Sequence, residues 1–301
     1  MARKKYYVFF IIAAAFIWSI NSLFRRSLHT IPPAFIVFLE HAIIVLIISP
    51  IIPRFLPEYK KLSKKDWGIL ITLGVTSGAL ATTMYTAALT QIQSISYSVV
   101  ALLQQTQPIF TIILASLILK EKITRRFSFF AIIALAASYF LAFPNFTPSI
   151  LGNQAEIIAA ALAIGAAFFW GTGTILSKLI LKKISYAATA IIRFIIVIPA
   201  TFIFSLFSNQ IYPLSNITSN QWLTLITLAL FSGIVSFIIY YKGLQHTEAK
   251  ISTIAEFTWP LSAAFIGFFF LGERLSSFQI LAGAVLLIDI LILSLTSSKK
   301  V

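Results

Sequence analysis

The chain has 301 residues, 59% of them hydrophobic and only 11% charged, with a mean hydropathy of +0.94 and a formal charge of +14. Soluble domains carry about 45–50% apolar and about 25% charged residues, so the polar surface here is too small to cover a soluble globule, and a lipid bilayer is the expected solvent. The basic residues stand in short clusters between apolar runs, which is the pattern of membrane topology and argues against a nucleic-acid partner.

A helix crossing a hydrocarbon core of about 30 Å needs about 20 mostly apolar residues. Apolar runs bounded by charged or turn-forming residues predict ten such helices, over 6–24, 34–53, 67–89, 95–119, 127–144, 155–177, 186–207, 221–241, 251–271 and 277–296. The predicted fold class is therefore all-α integral membrane, with no soluble domain.

The first run opens after "MARKK", in the manner of a signal peptide. That reading is rejected because the segment has a counterpart deep in the chain. "AFIWSINSLFRRSL" (15–28) aligns with "AFFWGTGTILSKLI" (167–180), and Trp18 falls on Trp170. The same spacing sets Pro108 on Pro260 and Glu121 on Glu273, while "SGALATTMYTAAL" (77–89) lies on "SGIVSFIIYYKGL" (232–244). The chain reads as an internal duplication, residues 1–150 and 151–301, each unit holding five helices. Five is odd, so the two copies enter the membrane from opposite sides. Inverted repeats of this kind are typical of secondary transporters.

Lysine and arginine set the orientation. With the N-terminus inside, 19 basic residues fall on the cytoplasmic side against three outside (Arg25, Arg26 and Arg274), and Arg193 lies within the seventh run. Both termini are expected in the cytoplasm, in a multi-pass protein of the cell membrane.

"FTWPLSAAFIGFF" followed by "FLGERLSSFQILAGAVLLI", the tandem five-helix units, the prolines of the fourth and ninth runs and the "LKEKIT"/"LGERLS" ends resemble an EamA-type member of the drug/metabolite transporter superfamily. "IIRFIIVIPA" also resembles the arginine-bearing segment common in that family. The resemblance covers nearly the whole chain. It implies a central cavity lined by both units, peripheral fifth and tenth helices, and a leaning toward export. One departure concerns "FLEHAIIV", where Glu40-His41 stand opposite Arg193-Phe194 and relatives often carry a basic residue.

Ionisable groups at membrane depth are costly and usually face a cavity or a partner. The candidates are Glu40, His41, Arg193 and Glu256. At 1.5 Å per residue, Arg193 and Glu256 share the inner third, so a contact between them is expected. Glu40 is then left to His41, Gln104 or a solute. The plainer alternative is a static ion pair locking two helices. Glu40 or Glu256 are candidates to carry a coupled proton, and His41 a further one. Asp289, on the last run, could compete for Arg193 but reads better as structural.

"QQTQP" (104–108) places Gln104, Gln105 and Gln107 before Pro108, and "EFTWP" (256–260) repeats the arrangement before Pro260. Proline removes a backbone donor and permits a kink, and polar groups beside broken helix are a pointer to a transporter site. Trp18, Asn21, Tyr85, Trp170, Tyr240 and Trp259 lie on helices expected to line the cavity, where rings can stack on a ring-bearing solute or a cation. Many aromatic side chains also simply face lipid. Gly74 and Gly78 form a G-x-x-x-G, explained by close helix packing.

No P-loop, G-x-S-x-G or metal-ligand spacing occurs, and there is no cysteine. No cofactor, metal or catalytic residue is expected. The reading is a secondary transporter moving a small organic metabolite, such as an amino acid or another amphipathic solute, by alternating access, with proton coupling, exchange against a counter-solute and facilitated diffusion all open. The alternatives are an integral-membrane enzyme acting on a lipid-soluble substrate and a passive channel.

Overall fold

The computed structural model describes residues 6–90, 100, 103–142, 154–270 and 276–296, and every element among them is helical. The first half contains α1 (Tyr7–Ser27), α2 (Pro33–Tyr59), α3 (Lys64–Thr90), α4 (Gln107–Ile118) and α5 (Arg125–Ala142). The second contains α6 (Gln154–Ile180), α7 (Tyr186–Phe207), α8 (Ser219–His246), α9 (Ala249–Ala255), α10 (Thr258–Phe270) and α11 (Ser277–Thr296). Among the described residues six helices are long and apolar enough to span a bilayer, namely α1, α2, α3, α6, α7 and α8. With the shorter apolar helices beside them, the chain is a multi-pass membrane protein.

The local sequence sets the helix starts and interruptions. Ser63 and Asp66 form a reciprocal capping box that starts α3, and Thr218 with Gln221 does the same for α8. Both helices then widen into a π-helical segment, Leu73–Leu80 in α3 and Leu228–Val235 in α8. π-helix is rare and concentrates at functional sites. Pro50 and Pro53 sit in a 3₁₀ stretch, Ser49–Phe55, that interrupts α2.

The helices expected over 95–119 and 251–271, with kinks at Pro108 and Pro260, are each broken into two. The chain turns at Gln105–Thr106 and again at Glu256–Phe257. Pro108 and Pro260 lie in the first turn of the helices that follow, where a missing N–H goes unnoticed. The prolines thus start new helices and do not kink running ones.

Glu121 does more than mark a boundary. Its carboxylate accepts from the backbone N–H groups of Ala249 (2.8 Å) and Lys250 (3.1 Å), capping α9 from the far end of the first half. Its repeat counterpart, Glu273-Arg274, lies outside the described residues.

The halves interleave. Helix α1 packs on α8 and α10, α6 packs on α3 and α4, and α7 lies between α2 and α3. Helices α5 and α11 pack on each other at the side of the bundle. The G-x-x-x-G explanation fits the packing, because a Cβ on Gly78 would strike Val197 of α7 and one on Gly74 would strike Ile196.

Candidate functional site

A cavity of about 150 Å³ lies between the two halves. Trp18, Asn21, Glu40, His41, Tyr85, Gln104, Gln107, Trp170, Arg193, Tyr240, Glu256 and Trp259 all line it, as does Pro108. Pro260 does not reach it, and neither does Asp289, which sits on α11 with 2% exposure.

The ionic pairing differs from the depth argument. Glu40 is bound by Arg25, with Nη2 donating to Oε2 at 2.6 Å, and both residues are buried. Arg25, expected on the outer side, is not an exposed loop residue. It lies on the inward face of α1 and also donates to the Thr86 hydroxyl at 3.1 Å. His41 does not pair with Glu40 either. Its Nδ1 is 2.9 Å from the Val37 carbonyl one turn back, and its ring meets Phe194 edge-on.

The expected Arg193–Glu256 ion pair is absent, because Glu256 has other partners. Gln107 donates to its Oε2 at 2.8 Å and the Tyr240 hydroxyl to its Oε1 at 2.9 Å. Gln104 in turn donates to the Gln107 amide oxygen at 3.0 Å, and Thr174 lies 3.2 Å from the Tyr240 hydroxyl. A hydrogen-bonded chain therefore joins the break before α4 to the break between α9 and α10, with Glu256 at its centre. Arg193 lies over the face of Phe237, 4.1 Å from the ring centre, and donates to the Ser77 carbonyl at 3.3 Å.

Several contacts occur twice. Ser22 is 3.0 Å from the Tyr85 hydroxyl, and Thr174 meets Tyr240 in the same way. Tyr85 packs against Trp170 with ring centres 5.1 Å apart, and Tyr240 packs against Trp18 at 5.1 Å. Each π segment offers a carbonyl to the opposite half, Ser77 to Arg193 and Ser232 to the Trp18 indole N–H at 3.1 Å. A widened turn leaves carbonyls without their usual intrahelical donor. Ser22, Thr174, Ser77, Ser232 and Phe237 were not singled out from the sequence. The signal for the first four was present, since each stands at the same place in its copy of the repeated segments.

The sequence comparisons agree with this architecture. A 29% identical relative, the riboflavin transporter ImpX of Fusobacterium nucleatum, aligns over 93% of this chain and 95% of its own. An uncharacterised transporter of Clostridium kluyveri is 28% identical over 99% of this chain and 95% of its own. A solved structure described only as a crystal structure of a protein superposes with a TM-score of 0.77 at 13% identity, covering 97% of this chain and 98% of that one, which shows a shared fold. The EamA-like transporter family matches twice, over residues 5–143 and 157–295, and the chain belongs to that family.

Proposed function

We propose that the protein is a secondary transporter of the cell membrane, with both termini cytoplasmic. It moves a small ring-bearing organic metabolite by alternating access between two inverted five-helix halves. The observation that carries this reading is the cavity itself, where two broken helices from different halves meet through Gln107 and Glu256. Broken helices facing each other across a repeat interface suit a solute site, because their freed backbone groups need only small rearrangements to exchange partners.

Cavity size supports a carrier caught in a contracted state. Sites for drug-sized ligands run to roughly 300–1,000 Å³, whereas this cavity measures about 150 Å³. A larger solute enters only if the halves separate. The aromatic pairs on the cavity wall suit a ring-bearing solute, and the likeness to a riboflavin transporter makes riboflavin the first solute to test. Glu256 is the preferred proton carrier over Glu40, whose carboxylate is already neutralised by Arg25.

The test is flux into and out of proteoliposomes, with riboflavin, tryptophan and other ring-bearing metabolites. Saturable flux with counterflow is expected, and comparing the two directions addresses the export suggested by family resemblance. Linear flux without counterflow would favour a channel. Product formation by purified protein in detergent, with no flux, would favour an enzyme.

A further inference from the structure

Arg193 is 2% exposed, lines the cavity and has no acidic partner. The two carboxylates that line the cavity are occupied, Glu40 by Arg25 and Glu256 by Gln107 and Tyr240. Its Nη2 makes one long hydrogen bond of 3.3 Å to Ser77, while Nε and Nη1 have no partner. Burying a cation without a counter-charge or full hydrogen bonding is costly. The face of Phe237 at 4.1 Å returns only part of that cost. Asn21 Oδ1 and Thr253 Oγ1, on the same cavity, also lack partners. The second half therefore keeps a donor group in reserve on a wall where every carboxylate is already engaged.

We propose that Arg193 is the recognition group for an acceptor oxygen of the solute, a carboxylate or a ring carbonyl, whose aromatic ring packs between the Trp18–Tyr240 and Tyr85–Trp170 pairs. This rests on the transport reading and specifies its substrate class as an aromatic anion or an aromatic carbonyl compound. It excludes aromatic amines, which would bring a second cation to a guanidinium that has no ion-pair partner of its own. Arginine suits the role because it stays charged when desolvated and presents several fixed donors.

A volume of about 150 Å³ is enough for a single benzene ring, so one-ring probes fit the conformation described. Detergent-purified protein is titrated with benzoate, nicotinamide and benzylamine, following the fluorescence of the cavity tryptophans Trp18, Trp170 and Trp259. Benzoate or nicotinamide is expected to bind at least tenfold more tightly than benzylamine. The tighter of the two identifies carboxylate or carbonyl as the group recognised. Arg193→Gln is expected to lose that preference, and Arg193→Lys to retain it for benzoate. Should Arg193→Gln fail to fold, the wild-type ranking and the Arg193→Lys titration decide. Equal binding of all three probes, no binding of either acceptor probe, or unchanged benzoate affinity in a folded Arg193→Gln protein overturns the assignment. The titration requires no transport. Flux without this ranking would leave the carrier reading standing and remove Arg193 from it, whereas the ranking without flux would do the reverse.

Discussion

Arg25 of α1 and Glu40 of α2 close a buried ion pair at 2.6 Å on the cavity wall. It joins two consecutive helices of the same half, with Thr86 of α3 as a third point of attachment. The pair gives the first half its own electrostatic closure and removes Glu40 from the groups available to a solute.

Breaking that pair from one side strands a buried charge, which typically costs about 3–5 kcal/mol, whereas replacing both partners by apolar groups is often neutral. Arg25→Met and Glu40→Leu are each expected to destabilise the protein by about that amount, and the double variant to return close to wild type. Reversible unfolding in mixed micelles measures the cycle. Additive losses would show that the pair does not act as a unit.

Tyr240→Phe removes the donor to Glu256 Oε1 and leaves Thr174 without its hydroxyl contact. An unsatisfied buried polar group costs about 1–3 kcal/mol, so a loss of that order is expected in thermal unfolding. Glu256→Gln keeps the side-chain shape but cannot exchange a proton. It is expected to retain solute counterflow while losing accumulation driven by a pH gradient. Full pH-driven accumulation by Glu256→Gln would rule out Glu256 as the carrier.

Gly78→Ala would drive a Cβ into Val197 where α3 meets α7. Overpacking of this kind costs about 1–3 kcal/mol. Gly68 of the same helix has nothing within 4 Å of a Cβ, so Gly68→Ala is expected to stabilise by about 0.5–1 kcal/mol through helix entropy. Measured together by thermal unfolding, the two substitutions should shift stability in opposite directions.

Asp289 is buried on α11, neither carboxylate oxygen has a partner, and it does not line the cavity. Replacing an unsatisfied buried polar group by an apolar one of similar size recovers its desolvation cost. Asp289→Leu is expected to raise the unfolding temperature and leave solute flux unchanged. A loss of flux would give Asp289 a functional role that the packing does not suggest.

Composition alone determined the solvent, because an 11% charged chain cannot cover itself in water. The repeated segments determined which residues stand in equivalent places, and the helix ends at 186–207 and 277–296 coincide with α7 and α11. The cavity-lining aromatic and glutamine positions were legible for the same reason, since polar groups beside helix-breaking proline in an apolar run have few other uses. Pairing was not legible. Depth along a helix gives one coordinate of a side chain, but contact also depends on rotation about the axis and on which helices are neighbours. Arg193 and Glu256, placed at one depth by counting along their helices, are bonded elsewhere, while Arg25, counted with an outer loop, turns inward to Glu40. That the expected kinks are full breaks, at Gln105–Thr106 and Glu256–Phe257, and that α3 and α8 carry π segments likewise emerged only in three dimensions. Which turn of a helix opens depends on the partners that wait for its freed carbonyls, and tertiary packing supplies them.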